Sequence, residues 1–235
     1  MRKFFLLSVM GCLLLTLQAQ AQDDYEKPDF PVIKRNCADR NSRFYYPVQM
    51  KRYLEDDTTL SNEEYRFLYY GFSFQPNYSP YGKSDVVDQL REVLKDDDMT
   101  PQDVDKAIGL EKTVLKEFPF NLRNLNMLVR LYDKKGDTTN ADKTYKKLLG
   151  VGRAILSSGN GRADSTAMYV ISVEHEYDMM GLMEFRFGGS QSLVRYKGSS
   201  LDYLTVADNR YLTKGLYFNV DRLFAAMDEV LKKKN

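Results

Sequence analysis

Several stretches of the 235-residue sequence bring together side-chain types that resemble reactive sites. Gly188-Gly189-Ser190-Gln191-Ser192 approaches the G-x-S-x-G elbow of serine hydrolases, in which a strand-to-helix turn exposes the nucleophile. Ser192 stands where the last glycine belongs, and Leu193-Val194-Arg195-Tyr196 reads as strand where the elbow requires helix. His175 also precedes Ser190, against the order serine, acid, histidine. The stretch therefore reads as a glycine-rich turn between strands. Glu174-His175-Glu176 offers three metal-ligand types in a row. On a strand, His175 and Tyr177 face one way and Glu174 and Glu176 the other. His175 ends an apolar alternation and reads as a hydrogen-bonded histidine at the edge of the core. Glu174 and Glu176 could do acid–base work as a pair on one face, but exposure of carboxylates favours a solvated strand end. Asp96-Asp97-Asp98 lacks the spacing and glycine of a calcium loop. Gly150-Val151-Gly152 lacks the third glycine of a nucleotide-binding loop. No catalytic residue, no metal site and no cofactor is predicted.

The aromatic residues give a different signal. The chain has 17 Tyr and 13 Phe but no Trp, and many of the rings fall between residues 44 and 81. Tyr65, Tyr69 and Phe72 recur at helical spacing and read as core. Tyr78 and Tyr81 sit instead in a proline-bounded loop with Gln75, Asn77 and Ser79. Flat rings with hydroxyls and amides beside them suit contact with a peptide, protein or glycan. Gln75, Asn77, Tyr78 and Tyr81 are therefore the candidate binding residues. The competing expectation is a loop folded onto the body by its own rings.

Composition narrows the partners. The 34 Lys+Arg against 33 Asp+Glu give a formal charge of +1, so nothing electrostatic favours nucleic acid or an anionic membrane. A single His excludes any site needing two imidazoles, and two Cys exclude cysteine-rich zinc or iron–sulfur sites.

The positioning elements follow from periodicity. Met1-Arg2-Lys3, an apolar run from Phe4 to Leu17 and Ala19-Gln20-Ala21 have the pattern of a signal peptide over residues 1–21. Export to the periplasm or the extracellular space follows. Val9-Met10-Gly11-Cys12 has some look of a lipobox, but the apolar run continues past Cys12. No later segment reaches the ~20 apolar residues of a membrane span. Residues 22–60 read as an extended arm, carrying Pro28 and Pro31, followed by a short helix opened by Pro47. Ser61-Asn62-Glu63-Glu64 has capping-box spacing and opens a helix with apolar residues on both faces.

Shifting the chain by 34 residues aligns Val93 with Met127, Leu94 with Leu128, Ala107 with Ala141 and Leu115 with Leu149. Gly136-Asp137 makes the turn of the second unit, and Pro119 ends the first. This middle region resembles the tetratricopeptide repeat. After residue 158 the pattern turns to strands at residues 169–175, 192–196, 203–206 and 215–219, with a short helix from Glu176. A last helix after Asp221 places Leu223, Met227, Val230 and Leu231 on one face. The fold class is α+β: a short tetratricopeptide-like helical layer over 61–158, then a small, antiparallel sheet with a C-terminal helix over 159–235. Residues 61–235 are expected to form one compact unit.

Glu64-Tyr65-Arg66-Phe67-Leu68-Tyr69-Tyr70-Gly71-Phe72, Tyr78-Ser79-Pro80-Tyr81-Gly82, Pro119-Phe120-Asn121-Leu122-Arg123 and Gly215-Leu216-Tyr217-Phe218-Asn219-Val220 are distinctive. With them the chain resembles an uncharacterised family of secreted proteins, a domain of unknown function, from Bacteroides-type bacteria. The resemblance implies secretion and brings no activity. The expected function is a non-catalytic binding or scaffolding module for a protein, peptide or glycan, since stacked helical repeats form concave surfaces. The alternative is a hydrolase acting on an envelope or glycan substrate.

Overall fold

The computed structural model describes residues 25–95 and 98–234. The predicted signal peptide, Cys12, Asp96 and Asp97 lie outside the described residues, as do the side chains of Val230, Lys233 and Lys234. The fold is α+β, with a helical layer preceding a mixed four-stranded sheet.

Helix α1 (Phe30–Ala38) occupies part of the predicted arm. Pro31 sits in its first turn, where a missing N–H costs nothing, and Asp29 accepts the Val32 N–H at 3.0 Å. Helix α2 (Tyr46–Leu54) carries Pro47 in its first turn. Helix α3 (Asn62–Phe72) opens on the predicted capping box between Ser61 and Glu64. It is buried on several sides, with Tyr65, Leu68, Tyr69, Tyr70 and Phe72 in the core. The lone cysteine of the described residues, Cys37, is a buried thiol that burial pushes up to about 12.

The helical layer continues with α4 (Val87–Val93), α5 (Pro101–Glu117), α6 (Leu122–Lys135) and α7 (Thr138–Leu156). Successive helices pack on one another, and Ala107 and Ala141 are both buried, as their shared register predicts. Gly136 adopts φ +79 at the end of α6, the left-handed cap that glycine permits. Helix α7 lies against α3 at Gly150, where a Cβ would fall 2.4 Å from the Tyr65 ring.

In the sheet, β2 (Phe187–Tyr196), β3 (Ser199–Val206) and β4 (Gly215–Asn219) pair antiparallel. Strand β1 (Met168–Tyr169) joins β4 in parallel, giving the order β1-β4-β3-β2. The sheet is therefore mixed, because its first strand is separated from β4 by the rest of the sheet rather than by a short link.

The predicted strand over 169–175 ends at Tyr169. A turn follows, and α8 (Glu174–Leu182) begins with Ser172 Oγ accepting the Glu174 N–H at 3.3 Å. The alternation of Ile171, Val173 and His175 comes from a turn entering a helix. The glycine-rich stretch 188–192 lies inside β2, with a register irregularity between Phe187 and Gln191, and is not a turn between strands. Helix α9 (Asp221–Lys234) buries Leu223 and Ala226 but leaves Met227 and Leu231 exposed, so its predicted apolar face packs only at its start. Arg222 fixes that start: its buried guanidinium donates to Ser73 Oγ at 3.0 Å and lies over the Phe74 ring.

Candidate binding cleft

A cleft of about 440 Å³ lies between the loop 82–84 and helices α4, α5 and α6. Its apolar lining comes from Val87, Leu90 and Leu94 of α4, Val114 and Phe118 at the end of α5, and Met127 of α6. Gly82 lets the loop close on Phe118, since a Cβ there would sit 2.8 Å from that ring.

Polar groups converge inside it. Helix α5 turns Val104, Ala107, Ile108, Glu111 and Val114 inward, so Glu111 occupies a core position and is 1% exposed. Its carboxyl accepts a 2.7 Å hydrogen bond from Asn124 Nδ2 of α6. Burial pushes Glu111 up to about 7, against the lowering effect of that amide. Ser84 is 5% exposed, and its hydroxyl has no hydrogen-bond partner. At the mouth, Glu174 accepts from Asn121 Nδ2 at 2.6 Å. The cations lining the cleft are mostly engaged by their own acids: Arg91 with Asp88, Lys95 with Glu92, and Arg123 with Asp178.

A second, narrow cavity of about 30 Å³ shares Gly82, Phe118, Asn121 and Glu174 with this cleft and is also lined by Tyr78, Ile171 and His175. Of the predicted binding residues, only Tyr78 reaches it. The Tyr78 hydroxyl donates to the Ile171 carbonyl at 2.6 Å and its ring packs edge-on against Phe72. Gln75 donates to the Gly71 carbonyl at 3.0 Å and closes α3, and Asn77 is exposed. Tyr81 is 52% exposed and lies towards Asp202 and Glu176.

Helix α8 sends its first residues in different directions, which replaces the strand geometry predicted for them. His175 is 4% exposed and bonded to Tyr69. Glu174 faces the cleft. Glu176 is fully buried and pairs with Asp202 of β3 rather than with Glu174; burial and that carboxyl push it up to about 9. Gln191 of β2 donates to Asp202 at 2.8 Å.

Ser84, Glu111, Asn121 and Asn124 are the site residues that sequence reasoning missed. The signal for Glu111 was its position on the apolar stripe of α5, three residues from Ile108 and three from Val114. A family model described as a domain of unknown function, DUF4919, matches residues 31–229. No curated protein and no solved structure matches the chain.

Proposed function

This chain belongs to the DUF4919 family, a domain of unknown function, and we propose that it is an exported, non-catalytic binding module that holds a segment of a peptide or protein partner in the cleft between α4, α5 and α6. The observation that carries the reading is the meeting of a buried carboxyl, Glu111, and a buried, unpartnered hydroxyl, Ser84, in an apolar-walled cleft. A buried polar group without a partner is costly, and a ligand that completes it recovers that cost. Export is supported by the charged start, apolar run and Ala19-Gln20-Ala21 site of the sequence.

The test is capture of partners from the native envelope by wild type and by Leu94→Glu, which places a charge on the cleft wall. A partner retained by wild type and lost by a folded Leu94→Glu supports the cleft. A partner held equally by both contradicts it. N-terminal sequencing of the native protein checks export: Gln22 as first residue supports cleavage after Ala21, and an intact Met1 contradicts it.

A hydrolase would draw on the Glu176 and Asp202 carboxyls, to both of which the Gln191 amide donates. Glu176 is 0% exposed, so a substrate reaches that carboxyl only after the surrounding side chains move.

A further inference from the structure

We propose that the cleft receives a primary ammonium group on an apolar stem, with the Glu111 carboxylate and the Ser84 hydroxyl as its polar contacts. This names a ligand class for the cleft and rests on the binding reading above.

Three observations converge on that chemistry. First, Glu111 is a buried acid whose hydrogen-bond partner is a neutral amide, Asn124 Nδ2. The amide orients the carboxylate but supplies no charge, and a buried carboxylate is stabilised by a cation that reaches it. Second, the protein's own cations do not serve it. Arg91, Lys95 and Arg123 are each bridged to a different acid, and no charge contributes resolvably to Glu111. At the mouth Lys83 and Glu174 are both exposed and of opposite sign. Third, the Ser84 hydroxyl is buried, unpartnered and lines the same cleft. It offers a second acceptor within the cleft that Glu111 also lines.

An ammonium brings a charge and three donors to such acceptors. The Leu94, Val114, Phe118 and Met127 walls suit the methylenes behind it. A guanidinium pairs best with both oxygens of a carboxylate at once, and Oε2 of Glu111 already accepts from Asn124, which favours the compact ammonium. The ammonium has two sources in a peptide partner, a lysine side chain or a free N-terminus on an apolar residue.

Fluorescence polarisation with three C-terminally labelled heptapeptides of alanine and leucine separates them. One carries a central lysine and an acetylated N-terminus. The second replaces lysine with norleucine. The third keeps norleucine and frees the N-terminal amine. At least one amine-bearing peptide is expected to bind tenfold or more tightly than the acetylated norleucine peptide, and which one does so identifies the source. Glu111→Gln should weaken that binding at least tenfold and Ser84→Ala several-fold, with thermal melts confirming that both variants fold. For a lysine ligand, binding should weaken from pH 8 to pH 6 as Glu111 takes up a proton, and Glu111→Gln should flatten that dependence. The other charged groups around the cleft, Lys83, Arg91, Lys95, Arg123 and Glu174, remain in both proteins.

Equal binding of the norleucine peptide, no binding by any peptide, or full affinity in folded Glu111→Gln overturns the proposal. If a captured partner is lost by Leu94→Glu but kept by Glu111→Gln, the cleft reading stands and the ammonium reading falls.

Discussion

The Tyr69 hydroxyl lies 2.8 Å from Nδ1 of His175, tying α3 to α8 inside the core. The same hydroxyl accepts the Ile171 N–H at 3.2 Å, which leaves its own hydrogen free for Nδ1. The imidazole then carries its proton on Nε2, towards the Phe120 backbone. The chain's single histidine is thus a neutral strut between helices, and its partners leave it no free lone pair for a metal.

Acid should test that strut. Burial pushes His175 down to about 4 from an ordinary 6.5. Above pH 6.5 it contributes no pH dependence. Below that, the unfolded chain takes a proton that the native core refuses, so stability falls until about pH 4. The loss is on the order of 3 kcal/mol. Urea melts of wild type and His175→Gln between pH 7 and 4 should show a steeper decline in wild type. Parallel declines would remove His175 from the buried network.

Glu176 should act in the opposite direction. Its folded value of about 9 lies above the ordinary 4.5, so the native state holds a proton that the unfolded chain releases. That contribution is complete below pH 4.5 and is lost as pH rises through about 9. Glu176→Gln keeps a hydrogen-bonding amide opposite Asp202 and removes the titration. The variant should therefore gain on wild type in melting temperature from pH 5 to pH 9. An unchanged difference across that range would mean that the folded core does not hold Glu176 protonated.

Much of this architecture was legible in residue order. Ser61 to Glu64 announced α3, Gly136-Asp137 announced the turn between α6 and α7, and the strand pattern at 215–219 announced β4. Helix α1 was not, because Pro28 and Pro31 suggested an extended chain although Asp29 could cap a helix with proline in its first turn. The cleft was legible only in part. Glu111 betrays itself by its place on an apolar stripe, but Ser84 becomes significant only when the loop folds against α4 and leaves its hydroxyl unpaired.

Two helix glycines should respond in opposite ways to alanine. Alanine gains about 0.5–1 kcal/mol over glycine within a helix. At Gly109 nothing lies within 4 Å of the added Cβ, so Gly109→Ala should stabilise by about that amount. At Gly150 the Cβ meets the Tyr65 ring, and overpacking of about 1–3 kcal/mol outweighs the gain. Chemical denaturation reads both. Equal midpoints for the two variants would deny the close contact of α3 with α7.

The loop tyrosines should also part company. Tyr78→Phe removes the donor to the Ile171 carbonyl and should cost about 1–2 kcal/mol. Tyr81→Ala removes an exposed ring and should change stability by less than about 0.5 kcal/mol. Denaturation midpoints decide this, and a larger loss at Tyr81 than at Tyr78 would reverse the assignment of the anchor.

The central claim is that the cleft between α4, α5 and α6 is where a partner is held. Amide chemical-shift mapping of the isotope-labelled protein with its captured partner tests it most directly. The largest changes are predicted at Ser84, Leu94, Glu111 and Asn124, with the free edge of β2 unaffected. Changes confined to β2, or to Tyr81 and Asp202, with the cleft resonances unmoved, would contradict it.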